Sequence, residues 1–383
     1  MADMKSLIRI AAVADKEWLQ IRRDFRSLIL ALLAPALLII LFGYALTVDV
    51  KHVKLTVFDQ DRSTESRNLI QEFAHTEYID IVEYTDNYQN IDKAIDEGKT
   101  TLALVIPRNF GNNIKTGYKT DIQLIVDGSD STSATVSIGY VKAVIANYNI
   151  ESKIKELNNA GISSFELPLD IRNRIWYNPE LQSKNFIIPG LIVLILAIIS
   201  ALIASLTISR EWERGTMETL MTTPIRSWEL IAGKMIPYLF IGLFDVLMTA
   251  SVGYFLFDVP IKGSFLEFYL LALLFLTGTT GLGILISTAT KVQVLSVQVA
   301  MVVTYLPSFI LSGFIFPIQN MPLLLQGITY LIPAKYLIVI VKGIALKGVG
   351  VSMLWTQILF LLIFTIFVLV ICSKKLKLQL ADD

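Results

Sequence analysis

Six stretches of this 383-residue chain run on with almost no charge, and no other feature restricts its fold so severely. A helix crossing the roughly 30 Å hydrocarbon layer needs about 20 consecutive apolar residues, because lipid offers the backbone no hydrogen-bond partner. The stretches fall at 27–48, 186–208, 235–257, 266–289, 294–316 and 352–372. Five have no Asp or Glu in their cores, while the third carries Asp245. With 54% hydrophobic residues and a mean hydropathy of +0.60, the expected fold is a polytopic α-helical membrane protein with six transmembrane helices.

Basic residues set the expected orientation, because short cytoplasmic loops collect Lys and Arg. The lead, 1–26, holds Lys5, Arg9, Lys16, Arg22, Arg23 and Arg26. The loop 209–234 holds Arg210, Arg214, Arg226 and Lys234, a tight turn holds Lys291, and the tail 373–383 holds Lys374, Lys375 and Lys377. These segments and both termini are expected inside, with 49–185 and 317–351 outside. Ser27–Val48 is too long for a signal-peptide core and contains Pro35, so it is expected to stay as a span. In the lead, Leu7, Ile10, Ala11, Ala14, Trp18, Ile21 and Phe25 recur at roughly helical spacing, which predicts an amphipathic elbow helix along the membrane surface. The net charge of +0 sums over two compartments, and no basic face suited to nucleic acid is present. The one cysteine, Cys372, lies in the last span, so the outer segment has no disulfide.

Segment 49–185 reads differently. VKLTVFD (53–59), YIDIVEY (78–84), TLALVIP (101–107) and IQLIVD (122–127) are short β-like runs bounded by turn residues. Polar helical runs alternate with them: one from Ser63, one from about Tyr88 to Glu97 stopping at Gly98, and a longer one over about 132–158. Pro168 and Pro179 lead back towards the second span. This alternation predicts an inserted α/β domain outside the membrane. Asp59, Asp61, Asp127 and Asp130 sit at strand ends, where turn and cap duties are favoured over ligand binding. The chain shows no HExxH, GxSxG or paired-Cys spacing, so no catalytic residue and no metal ligand is expected.

The second span runs directly into REWERGTMETLMTTP (210–224). Glu211, Arg214 and Glu218 are three and four residues apart and would share one face of a continuous helix, where they could pair. Met217, Leu220 and Met221 form an apolar patch beside them, and Gly215 permits a bend or a close approach. Thr222, Thr223 and Pro224 end the run, and Ser227–Lys234 re-enters the membrane. On charge alone, a solvated helix with internal pairs is the favoured reading.

The whole string is more specific. Arg210-Glu211-x-Glu213-Arg214-Gly215-Thr216-x-Glu218-x-Leu220, followed by Thr223-Pro224, resembles the signature of the ABC type-2 permeases, membrane subunits of ATP-binding-cassette exporters. LSGFIFP (311–317) with Asn320-Met321-Pro322 is similar to that family's fifth-span exit. Ile332-Pro333-Ala334-Lys335-Tyr336 with Lys342-Gly343 resembles its final outer loop, where Lys335 and Lys342 stand at positions more often Arg. VFDQDRS (57–63) and LVIPRNF (104–110) resemble the bacterial subfamily with a large insert after the first span.

The resemblance implies an exporter half in the bacterial inner membrane, pairing with a second permease, identical or paralogous, and two cytoplasmic ATPase subunits that hold ATP and Mg. Arg210, Glu211, Glu213, Arg214, Gly215, Thr216, Glu218, Leu220, Thr223 and Pro224 would form the coupling helix docked in the ATPase. The 317–351 loop, with Pro317, Pro322, Pro333, Lys335, Tyr336 and Lys342, would form re-entrant helices on the outside. A periplasmic adaptor would meet the inserted domain, and membrane lipid would surround the spans.

The residues themselves agree with an external energy source. No GxxxxGK[ST] phosphate loop is present, so the chain cannot hydrolyse ATP alone by that route, and no cofactor is expected in it. Asp245 either lines a route through the membrane or bonds a neighbouring helix. Gln298, Thr304 and Tyr305 in the fifth span favour helix–helix bonding over cargo contact by about two to one. Pro307 is expected to kink that span. Uncharged spans suit an amphipathic cargo, drug-like or lipid-like. The alternative is a membrane sensor with an outer ligand-binding domain, but inner segments of about 26, 25, 4 and 11 residues leave little room for an output domain.

Overall fold

The computed structural model describes residues 2–46, 52–116, 118–129, 131–159, 177 and 182–381. The chain divides into a helical unit, 1–47 with 174–383, and an α/β unit, 48–173. Asp130, Pro168 and Pro179 lie outside the described residues.

In the α/β unit the four β-like runs become β1 (Val53–Asp59), β2 (Ile79–Tyr84), β3 (Leu102–Ile106) and β4 (Gln123–Val126). The sheet order is β2-β1-β3-β4, with β1 parallel to β2 and β3, and β4 antiparallel to β3. β3 reads LALVI because both its faces are covered, and all five residues are buried. On one face Leu55, Val57 and Leu104 pack with Leu69 and Phe73 and with Val141 and Tyr148. On the other, Ala103 and Val105 pack with Ile91. Two of the helices begin at side-chain caps. Ser63 Oγ accepts the Ser66 N–H at 3.1 Å at the start of the helix Thr64–Ala74, and Asn87 Oδ1 accepts the Gln89 N–H at 3.1 Å before Tyr88–Asp96.

The helical unit opens with α1 (Ala2–Arg23) and α2 (Phe25–Leu46). After the insert come α3 (Lys184–Glu213), α4 (Thr216–Met221), α5 (Ser227–Phe255) and α6 (Phe265–Thr290). The fifth predicted span is the helix Gln293–Leu311, and the sixth is Trp355–Leu376. Among the described residues these two, with α3, α5 and α6, are long and apolar enough to cross a bilayer. The first predicted span is α2, whose described apolar part, Ala31–Ala45, is shorter. Helices Leu323–Leu331 and Pro333–Lys347 meet at 82°, the shape of a re-entrant loop or of a broken span. The span ends differ from the sequence reading in one informative way. α3 continues unbroken into the charged string, and α5 already begins at Ser227, so the run Ser227–Lys234, read as lying before the third span at 235–257, is continuous with it in one helix.

α3 is the hub of this unit. Its Leu196 and Val193 pack with Phe275 of α6 and Leu337 of the helix Pro333–Lys342 in one apolar core. Polar stitches join α3 to α6. Ser200 and Thr279 share a hydroxyl hydrogen bond of 2.8 Å, and Ser287 Oγ accepts the N–H groups of Ile208 and Ser209 at 3.0 and 2.8 Å. Such bonds hold apolar helices together where the hydrophobic effect cannot.

Candidate functional site

The charged string does not form one helix. α3 ends at Glu213, Gly215 takes φ +69°, and α4 starts at Thr216. No neighbour lies within 4 Å of where a Gly215 side chain would begin, so the glycine serves the turn and not a close contact. This overturns the shared face expected for Glu211, Arg214 and Glu218. The turn redirects the chain between Arg214 and Glu218, and among the described residues no ion pair joins the three.

Glu211 turns inward instead, at 3% exposure. Its carboxylate takes Lys16 Nζ at 2.9 and 3.0 Å, Lys234 Nζ at 3.2 Å and the Thr216 hydroxyl. Lys234, 1% exposed, also reaches Glu17 Oε2 at 2.8 Å, and the Tyr238 hydroxyl donates to Glu17 Oε1 at 2.7 Å. Two acids and two lysines from α1, α3 and α5 thus neutralise one another. A charge removed from water costs several kcal/mol, so each member depends on the others. α1 sits directly on α5: a Cβ at Gly233 would lie 2.7 Å from Val13 Cβ and 2.9 Å from the Ile10 carbonyl oxygen. At the far end Ser6 Oγ donates to Glu229 Oε1 at 2.6 Å, and Arg9 pairs with Glu229 Oε2 at 3.3 Å.

The elbow helix is therefore present, but it faces protein as well as its surroundings. Val13, Glu17 and Ile21 are buried and Ile10 and Ala14 partly so, while Leu7, Ala11, Trp18 and Phe25 stay exposed. Sequence reasoning missed Glu17 and Lys234 as a pair. The available signal was a lysine inside the apolar run IAGKMI and an acid inside a basic helix.

Around this joint the other residues of the string divide clearly. Met217 is fully buried with Val13, Ile208, Leu230 and Ile284, and Leu220 and Met221 pack against that cluster. Glu213 caps the helix Gln293–Leu311, its carboxylate accepting the Gln293 N–H at 2.8 Å and bonding the Gln293 side-chain amide. Lys291 lies over the Trp212 ring at 4.2 Å. Arg210 is half-buried, whereas Arg214, Thr216, Glu218, Thr223 and Pro224 are exposed. The outcome is a short exposed edge on an anchored base.

Asp245 is 1% exposed, and its Oδ1 has no hydrogen-bond partner among the described residues, so the helix–helix bond weighed from sequence is not seen there. Helix–helix bonds are also not seen for the fifth-span residues. Thr304 Oγ1 donates to Ala300 O of its own helix at 2.5 Å, Gln298 is exposed, and Tyr305 packs beside Phe309 with ring centroids 5.5 Å apart. Instead of a simple kink, Met301–Tyr305 is a π turn immediately before Pro307, whose missing N–H leaves the ladder free to widen.

The prolines of the later loop each mark a start. Pro317 and Pro322 precede the short helices Ile318–Asn320 and Leu323–Ile328, and Pro333 opens Pro333–Lys342. Lys335 Nζ donates to Thr329 Oγ1 at 2.8 Å and lies 3.6 Å from the Tyr330 ring centroid. Tyr336 donates its hydroxyl to Tyr330 O at 2.7 Å and stacks on Phe360, and Lys342 Nζ lies 3.3 Å over Phe186. These lysines bind ring faces, a contact that needs no forked donor.

Apolar helices of this length, packed around a hub with a charged joint at one end, define a multi-pass membrane protein. The chain belongs to the ABC-2 family of transporters: residues 25–374 match the family described as "ABC-2 family transporter protein". It is 35% identical to the Escherichia coli (strain K12) "Probable multidrug ABC transporter permease YbhS" over 373 residues, 97% of each chain. It is 31% identical to "Probable multidrug ABC transporter permease YbhR" of the same organism, covering 91% of this chain and 94% of the relative. "Inner membrane transport permease YhhJ", again from that strain, is 27% identical over 80% of each.

Proposed function

We propose that this chain is the membrane half of an ATP-driven exporter, moving an amphipathic small molecule, drug-like or lipid-like, out of a bacterial cytoplasm. Two permeases, identical or paralogous, pair with two ATPase subunits that bind ATP and Mg. Both termini and the 209–234 loop face the cytoplasm, in keeping with their basic residues. The relatives' names, multidrug and inner-membrane transport, support the reading.

The observation that carries the proposal is the exposed edge Arg214–Pro224 resting on a buried, charge-locked base. A partner pressing on Arg214, Glu218 and Thr223 would not simply deflect a loose loop. Met217 and the Glu211–Lys234–Glu17 cluster would pass the displacement to α1, α3 and α5 together. The π turn at Met301–Tyr305 is a second place where a span can change shape, and it supports a pathway near Gln298, Thr304, Tyr305 and Pro307. The paired helices with Pro317, Pro322, Pro333, Lys335, Tyr336 and Lys342 would cap that pathway on the outside.

Charge reversal tests the docking edge. Arg214→Glu with Glu218→Lys is expected to reduce co-purification of the ATPase subunit more than tenfold while membrane insertion is unchanged. Undiminished ATPase association would remove this edge as the coupling surface. Glu213 is a poorer test position, because its reversal also uncaps the helix Gln293–Leu311.

A further inference from the structure

An apolar cleft of about 360 Å³ opens between α1, α2, α3 and α5. A much smaller recess, about 10 Å³, shares four of its wall residues: Ile199, Ile203, Tyr238 and Ile241. Asp245 lines that recess, with its Oδ1 buried and unpartnered among the described residues. The nearly buried Glu17, Glu211, Glu229 and Lys234 all have partners, which makes Asp245 the exception among them. A carboxyl buried without a partner costs several kcal/mol, and an oxygen with no donor stays unsatisfied whether or not the group is charged.

Whatever satisfies this carboxyl must bring a hydrogen-bond donor into a space about the size of one water molecule. The larger space beside it accepts an apolar body, as ligand pockets with a few polar groups do. The cleft's charged lining residues, Asp24 and Arg210, carry opposite signs, and neither lines the recess. We propose that this cleft binds an amphiphile bearing a primary amine, with the apolar body against α2 and α3 and the ammonium donated to Asp245 past Tyr238. A trimethylammonium head is too bulky for the recess and has no N–H to give.

The proposal deepens the exporter reading by naming the class of cargo, and binding can be measured without transport. Purified full-length protein in lipid nanodiscs would be titrated with a fluorescent long-chain primary amine, its uncharged N-acetyl analogue and its trimethylammonium analogue. The amine is expected to bind roughly 10- to 100-fold more tightly than the amide, as a charge-assisted hydrogen bond provides. The trimethylammonium compound should fall near the amide. Asp245→Asn should erase the preference for the amine while leaving amide binding intact, and Asp245→Glu should retain part of it. An unchanged preference in Asp245→Asn, or an equal loss of amine and amide, would overturn the proposal. ATP-driven transport of the amine by the reconstituted complex reads the exporter function separately. Amine-selective binding without transport would remove the exporter reading alone, and transport without amine selectivity would remove the site alone.

Discussion

The helical unit and the α/β unit use charge in opposite ways. Where α1 meets α3 and α5, Glu17, Glu211 and Lys234 are at most 3% exposed and hold one another. In the α/β unit, Lys93 and Lys99 flank Glu97 on the surface, and Arg62 pairs with Asp86 in the open. Surface pairs contribute little to stability, whereas a buried group that loses its partner is expensive. The sheet unit is therefore held by its apolar layers and caps, whereas in the membrane unit's joint the buried Glu17, Glu211 and Lys234 depend on one another.

The sharpest way to break that contrast is to remove one lysine from each place. Lys234→Met leaves Glu17 and Glu211 buried without their shared cation. It should destabilise the joint by about 3–5 kcal/mol, read as a lower midpoint of thermal unfolding followed by tryptophan fluorescence. Lys99→Met should leave the midpoint unchanged. Equal effects from the two would erase the distinction. A smaller loss is expected from Gly233→Leu, which forces α1 away from α5. Overpacking of this kind costs about 1–3 kcal/mol, and proteolysis within residues 1–26 should accelerate, since α1 loses its seat. Unaltered cleavage would mean that the close approach of Val13 and Ile10 to Gly233 does not hold α1 in place.

The smallest effect belongs to Asp61 in the α/β unit. Partial burial pushes its pKa up, but the Ser63 hydroxyl and the backbone N–H groups of Gly111, Asn109 and Phe110 outweigh that and hold it below the usual value. A lowered folded-state pKa means that the stabilisation is fully present above the unfolded value of 3.8 and is lost as pH falls on through the lower folded-state value. At pH 6, Asp61→Asn should raise hydrogen exchange around Gly111, whose N–H bonds Asp61 Oδ2 at 2.8 Å. The wild type should converge on the variant only once the pH has dropped below 3.8 and through the lowered folded-state value. Identical exchange at pH 6 would show that the carboxylate does not order this loop.

The α/β unit was legible in the sequence nearly residue by residue, because local chemistry writes it. Strand runs alternate with polar helical ones, and Ser63 and Gly98 punctuate them where the sequence places them, although the short helix Phe110–Lys115 was not read. The long apolar helices were equally plain. Hidden from view was everything that depends on distant partners. Lys16 meets Glu211 across 195 positions, and Glu17 meets Lys234 across 217. Local spacing suggested instead that Glu211 pairs along its own helix, and the positive φ at Gly215 defeats that pattern. Glu213 was singled out as part of an unusual string, but no periodicity could show that its acceptor oxygens end on Gln293.

That last contact has a mechanical consequence. Because the terminal acid of α3 is tethered to the first amide of the helix Gln293–Leu311, the two rods are geared at one end. A rotation of the first would drag the second along, concentrating any difference in their travel at the soft π segment Met301–Tyr305.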